Sequence, residues 1–286
     1  MTPPEPLPFG LVEDVLEFLD MPAYPERSPA GLTSLYRRWC RMVPFDNIRK
    51  LIAVRRGGPG PLPGDSAVDF FRALLDDHVG GTCWAGNGAL CVLLQALGFD
   101  AVRSVGTMLV APNIPPNHGS VLVRFGRQHY VADASILCDF PLAVVPGEIS
   151  RVDHPAWGVV GHWQDGAFTI RWRPLQRDDA IDCRIDRFEV DAERFRVQHE
   201  ATRGWSPFNY ELTFNVIDLG GRIGIAQGHA VTIDDLGERT STPLTDRTGF
   251  LVDRLGVTER IAVEIPPDVA TPPPPGSRSA RAQSEL

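Results

Sequence analysis

The chain has 286 residues, 43% of them hydrophobic, with 28 basic against 36 acidic side chains and a net charge of −8. That length supports one large domain, or two to three small ones around a shared site. The acidic balance argues against nucleic acid as a partner, because it repels phosphate backbones. No apolar run reaches the ~18 residues of a membrane span; the longest, 89–99, is broken by Gln95 and Gly98. The first eight residues are proline-rich and acidic, with no basic stretch leading an apolar one, so no signal peptide is expected. Five irregularly spaced cysteines (Cys40, Cys83, Cys91, Cys138, Cys183) form neither a disulfide framework nor a zinc pattern. They point to a reducing, cytoplasmic setting with no bound metal.

Residues 1–98 read as helical. Leu32, Leu35, Tyr36, Trp39 and Val43 recur at three- and four-residue spacing, with Ser28 and Pro29 as a start signal. A Gly/Pro-rich loop follows at 55–64. A second helix starts at the Asp65-Ser66 cap and carries Val68, Phe71, Leu74 and Leu75 on one face. A third, 83–97, stops at Gly98. From Ala101 the hydrophobic period becomes two, and strands are expected near 102–110, 118–125, 128–134, 157–163, 167–172 and 183–190, a density that suits a small barrel. Strands near 211–217 and 222–226 and a helix at 247–255 follow. The end, 266–286, holds four consecutive prolines and then polar residues, and is expected to be a disordered tail.

Cys83 stands in Gly80-Gly81-Thr82-Cys83-Trp84, where two glycines allow a sharp turn and the cysteine opens a helix. Free N–H groups at a helix N-terminus favour a thiolate and offer an oxyanion site. Cys91, by contrast, lies mid-helix among Leu90, Val92 and Leu93 and reads as a packing residue. A nucleophilic thiol needs a base, and the base an orienting group. If Gly126-Arg127 is a two-residue hairpin turn, Phe125 pairs with Gln128, and counting back makes His118 and Asp133 diagonal neighbours on one face. His129 shares Asp133's face by parity and is a second candidate base.

These residues also carry a resemblance. Pro44-Phe45-Asp46-Asn47, Gly80-Gly81-x-Cys83-x-x-x-Asn87, His118-x-x-x-Leu122-Val123 and Tyr130-Val131-x-Asp133 resemble the arylamine N-acetyltransferase family in order and spacing. Ser206-Pro207-Phe208, Leu244-Thr245-Asp246 and Leu255-Gly256-Val257 extend the resemblance to about residue 262. The resemblance implies an α+β fold with a cysteine-protease- or transglutaminase-like core: a helical bundle (1–98) carrying the nucleophile, a β-barrel (99–203) carrying histidine and aspartate, and an α/β lid (204–265). It implies Cys83 as nucleophile, His118 as base, Asp133 as orienting carboxylate, and Phe45, Trp84, Ile136 and Phe208 as substrate-binding positions. The reaction implied is ping-pong transfer of an acetyl group from acetyl-CoA, a co-substrate rather than a bound cofactor, to an aromatic amine or hydrazine.

The departures are specific. Where the family has Arg-Arg-Gly-Gly-aromatic-Cys-Phe-Glu-x-Asn, this chain has His78, Val79, Thr82 and Ala85 at the two arginines, the aromatic and the glutamate. The family's Asp-Val-Gly-Phe-Gly is Asp133-Ala134-Ser135-Ile136-Leu137 here, which removes a pocket aromatic. The chain is therefore a divergent relative whose acyl donor and acceptor stay open. The alternatives are an amide synthase fed by an acyl carrier protein, a Cys-His-Asp hydrolase or transamidase, and a degenerate binding protein.

Overall fold

The computed structural model describes residues 6–111 and 113–273. Five helices open the chain: α1 (Phe9–Phe18), α2 (Pro29–Met42), α3 (Ile48–Arg56), α4 (Ala67–Asp77) and α5 (Cys83–Ala96), with the short strand β1 (Phe45–Asp46) between α2 and α3. Their starts follow local chemistry. The Ser28 hydroxyl accepts the Gly31 N–H at 3.2 Å with Pro29 next to it, and the Ser66 hydroxyl accepts the Asp69 N–H at 3.1 Å. The loop expected from 55 begins instead at Gly57, whose φ of 63° ends α3. Trp39 packs between Phe70 (stacked, 6.0 Å) and Phe71 (edge-on, 6.1 Å), so the expected apolar stripe of α2 meets that of α4. α5 is buried along almost its whole length and forms the centre of the main core.

An eight-stranded antiparallel sheet follows, in the order β5-β4-β3-β2-β9-β8-β7-β6. Its strands are β2 (Asp100–Met108), β3 (His118–Phe125), β4 (Gln128–Val131), β5 (Leu142–Ala143), β6 (Ser150–Val152), β7 (Val159–Gln164), β8 (Ala167–Trp172) and β9 (Ile181–Val190). It curls nearly closed. The Ser150 hydroxyl of β6 donates to the Ala143 carbonyl of β5 at 2.6 Å, joining the two edge strands. Phe168 fills the interior, and a side chain on Gly161 would collide with it.

A third layer is the antiparallel sheet β1-β10-β11-β12-β13, comprising β10 (Phe214–Asp218), β11 (Gly221–Ala226), β12 (His229–Asp234) and β13 (Arg239–Pro243). Its edge strand β1 comes from the helical part of the chain, pairing Phe45 with Asn215 and Asp46 with Phe214. Sequence reading missed β12, β13 and α6 (Ala192–Ala201). The last is a polar helix with little periodicity, held at its start by Asp191, whose carboxylate accepts the Arg194 N–H at 2.7 Å. The expected helix 247–255 is one α-turn, Arg247–Gly249, that widens into a π-turn, Phe250–Arg254. Of the expected tail, 266–273 is hydrogen-bonded to the body: Val269 N–H donates to the Tyr210 carbonyl at 3.1 Å, and Asp268 accepts the Leu212 N–H at 2.9 Å. The rest, 274–286, lies outside the described residues.

Candidate active site

Cys83 is the first residue of α5. Thr82, at the N-cap, makes no side-chain cap, so the first-turn N–H groups have no capping side chain. The turn before it is set by close approach: a side chain on Gly80 would collide with the Pro44 carbonyl, and one on Gly81 would lie 2.8 Å from the Ala85 side chain. Asp46 ties this turn to β1. Its carboxylate accepts the Gly80 N–H at 2.6 Å and the Ile48 N–H at 3.0 Å. Burial pushes the Asp46 carboxyl up to about 6 against the pull of those two bonds.

His118 opens β3, and the β3–β4 hairpin turns at Gly126-Arg127 with Phe125 opposite Gln128. Gly126 has a φ of 60°, the positive value that the first position of such a turn favours for glycine. β4 ends at Val131 rather than 134, because Asp133 Oδ1 accepts the N–H groups of Ser135 (2.9 Å) and Ile136 (3.1 Å) and curls the chain out of the ladder. Asp133 Oδ2 is left to meet His118 Nε2 at 2.8 Å. Both side chains are buried. His129 sits opposite Arg124, part-way along the hairpin, and takes no part in this pair.

Asn87, one turn after Cys83, joins the three pieces. Its amide donates to the Gly119 carbonyl at 2.6 Å and to Asp133 Oδ1 at 3.3 Å, and its oxygen accepts the Ala134 N–H at 2.9 Å. Tyr36 closes the far side, donating its hydroxyl to the Asp133 carbonyl at 2.7 Å. Electrostatics follow from this enclosure. Burial alone would push the imidazole of His118 down, but the Asp133 charge and the hydrogen-bonding Cys83 thiol carry it well above the ordinary histidine value. Burial would push Asp133 up, and His118 with the Ser135 hydroxyl outweighs it, so the carboxyl is strongly depressed. With Nε2 on Asp133, Nδ1 is the ring nitrogen left for the thiol.

Cys83 and His118 share the wall of a cavity of about 450 Å³ with Phe45, Trp84 and Phe208. The rings of Phe45 and Phe208 meet edge-on at 5.2 Å. Ile136, the fourth expected substrate position, is not in this wall: it is buried in the main core, and its neighbour Ser135 lines the cavity instead. Sequence reading missed Lys50, Trp172, Trp205 and Arg222, which line the cavity from elements far apart in sequence, and Asn87's part in joining the strands. No group of three metal-ligating side chains occurs among the described residues.

An N-acetyltransferase family model matches residues 30–149, the segment that holds Cys83, His118 and Asp133. A curated arylamine N-acetyltransferase from Mycolicibacterium smegmatis is 26% identical over 149 residues, 47% of this chain, which spans about half (52%) of that relative's length. Among solved structures, the Mycobacterium marinum arylamine N-acetyltransferase in complex with CoA matches with a TM-score of 0.74 at 18% identity, over 89% of this chain and 98% of that one. The Bacillus cereus arylamine N-acetyltransferase, described as having a unique Cys-His-Glu catalytic triad, matches with a TM-score of 0.69 at 18% identity, over 87% and 98%. The structural likeness gives the fold, and the matched segment, which holds Cys83, His118 and Asp133, is similar to the N-acetyltransferase family.

Proposed function

We propose that this chain is an acyltransferase that moves an acetyl or related acyl group from a CoA thioester, by way of a thioester on Cys83, to an amine. The observation that carries this reading is the buried His118–Asp133 pair at 2.8 Å, with the thiol of Cys83 as the imidazole's other neighbour. In this reading His118 Nδ1 takes the thiol proton, and Asp133 fixes the tautomer and stabilises the imidazolium. The thiolate attacks the thioester carbonyl, and CoA leaves as its thiol with the proton returned by His118. An amine then attacks the acyl-Cys83; the amide C–N bond forms as the acyl C–S bond breaks, Cys83 leaves as its thiolate, and His118 accepts the amine's proton. The N–H groups at the start of α5 are the proposed oxyanion donors.

The aromatic walls of the cavity, Phe45 and Phe208, favour an aromatic amine or hydrazine as acceptor. All five cysteines are free thiols, as a reducing cytoplasm keeps them. Intact-protein mass spectrometry after incubation with a panel of acyl-CoAs tests the proposal. An acyl adduct that maps to Cys83 and disappears on adding an arylamine is the expected result. An adduct formed only from an acyl carrier protein would move the reading to an amide synthase. Adduct loss to water at the same rate, with or without amine, would move it to a hydrolase.

A further inference from the structure

Two cations are buried in the wall of the cavity beside Cys83, and neither has a carboxylate partner among the described residues. Lys50, on α3, is 5% exposed. Its ammonium donates to the Thr202 hydroxyl at 2.8 Å, and that hydroxyl donates onward to the His199 carbonyl at 2.7 Å. Glu200, the carboxylate whose charge reaches Lys50, is engaged by Arg203 and by the Leu62 N–H. Arg222, on β11, is 2% exposed. It donates to Asn215 Oδ1 at 3.2 Å and to the Arg173 carbonyl at 2.7 Å, and its Nη2 is buried with no hydrogen-bond partner. The cavity wall holds one carboxylate, Glu211, which already accepts the Thr271 N–H at 3.2 Å.

A buried cation without an anion is costly, and the cost is recovered when an anion arrives. The C-terminal end of α6, at Thr202, makes the ammonium of Lys50 tolerable through the negative end of the helix dipole. An ammonium has three N–H donors, and Thr202 uses one. Burial pushes Lys50 down to about 7 and Arg222 down to about 10, so an arriving anion restores full charge to the lysine. The phosphates of CoA do not suit Lys50, whose charge couples to Cys83: at the reacting end of CoA lies its uncharged pantetheine arm. An anion at Lys50 belongs to the acyl group or to the acceptor.

We propose that Lys50 is a specificity-determining residue that takes the carboxylate of a substrate whose reacting end lies at Cys83. This inference rests on the acyl-transfer reading and narrows its substrate class. The carboxylate has two sources: the far end of a dicarboxylic acyl chain carried as a monothioester, or the ring substituent of an aminobenzoate acceptor.

Steady-state kinetics on the full chain separates them. One arm compares succinyl-CoA with butyryl-CoA as donor, and the other compares aminobenzoates with their methyl esters as acceptor. The expected result is a KM about tenfold or more lower for the carboxylate in one arm, the size of a charge-assisted hydrogen bond. Lys50→Met should bring that ratio within about twofold, and Lys50→Arg should retain part of it. No carboxylate preference in either arm, or an unchanged ratio in Lys50→Met, overturns the proposal. Should Lys50→Met not fold, protection of wild-type Cys83 from iodoacetamide decides it: benzoate or succinate must protect about tenfold better than its amide, and equal protection overturns it. Carboxylate protection with no acyl adduct from any thioester would remove the acyl-transfer reading and leave the anion site standing.

Discussion

Five thiols share this chain, and their surroundings divide them. Cys40, Cys91, Cys138 and Cys183 are enclosed in the core, where burial pushes Cys91 up to about 11, Cys138 and Cys183 up to about 12, and Cys40 well above its ordinary value. Cys83 faces a cavity and an imidazole. Iodoacetamide near pH 7 should therefore label Cys83 at least tenfold faster than any other cysteine, as peptide mapping would show. Labelling spread over several thiols would contradict the division. Cys83→Ser should lower turnover at least a thousandfold at an equal folded fraction, because a hydroxyl is a far poorer nucleophile than a thiolate.

The buried pair also sets a pH window. Asp133 is depressed, so its stabilisation is full above the ordinary carboxylate value of about 4 and is lost as pH falls through the folded value. His118 is raised, so its stabilisation is full below about 6.5 and is lost as pH rises through the folded value. The Tm deficit of Asp133→Asn should accordingly be largest between about pH 4 and 6.5 and shrink on both sides. At this scale the sequence was informative where the candidate site is built from a short motif. The place of Cys83 at a helix start and the meeting of His118 with Asp133 follow from a helix opening and a hairpin turn, both local. Lys50 carried no such signal, since a lysine between Arg49 and Leu51 reads as an exposed helix residue until Thr202, 152 positions away, is seen beside it.

Among the elements, α5, the hairpin and β1 act as one unit because polar side chains join them. Asn87 satisfies buried groups on β3 and on the Asp133 turn at once. Asn87→Ala leaves the Gly119 carbonyl and the Ala134 N–H without it, and each buried orphan costs about 1–3 kcal/mol. A loss of roughly 2–4 kcal/mol in denaturant unfolding is expected, with slower acylation of Cys83. Asp46 is a harder case for substitution. Both its oxygens accept N–H groups, whereas asparagine offers one acceptor and turns a donor toward the other N–H. The hairpin was legible because its pairing is fixed by its own turn. The end of β4 was not, because alternation runs on through Asp133 and only the carboxylate's turn stops it. β12, β13 and α6 were missed for a related reason: their faces are half polar, and burial by distant partners decides their form.

At the scale of the whole molecule, the cavity is assembled from segments spread between Phe45 and Pro272. Thr271 and Pro272 stand in its wall beside Phe45 and Trp172. Removal of 274–286 should change activity less than about threefold. Removal from 266 also deletes Asp268, its 3.4 Å ion pair with Arg247 and its bond to the Leu212 N–H, and uncovers the rim. An increase of fivefold or more in the acceptor KM is expected for the longer truncation alone, and equal KM values for both would show that 266–273 has no part in the site. The broad division into helices, curled sheet and a mixed end was legible from changes in hydrophobic period. The cavity was not, because its wall is defined by which distant segments touch.

The strand β1 sets an order in time. Phe45 bridges Gly81 and pairs with Asn215, so the turn that presents Cys83 leans on a sheet completed only by β10 and later strands. A ribosome adding roughly 5–20 residues per second emits Cys83 and waits several seconds to tens of seconds before β10 exists. Throughout that interval the helix that Cys83 opens can form while the support behind its turn cannot. Until then the nascent chain carries Cys83 as an ordinary thiol, and the arrangement around it can be completed only after β10, which ends at Asp218, has been made.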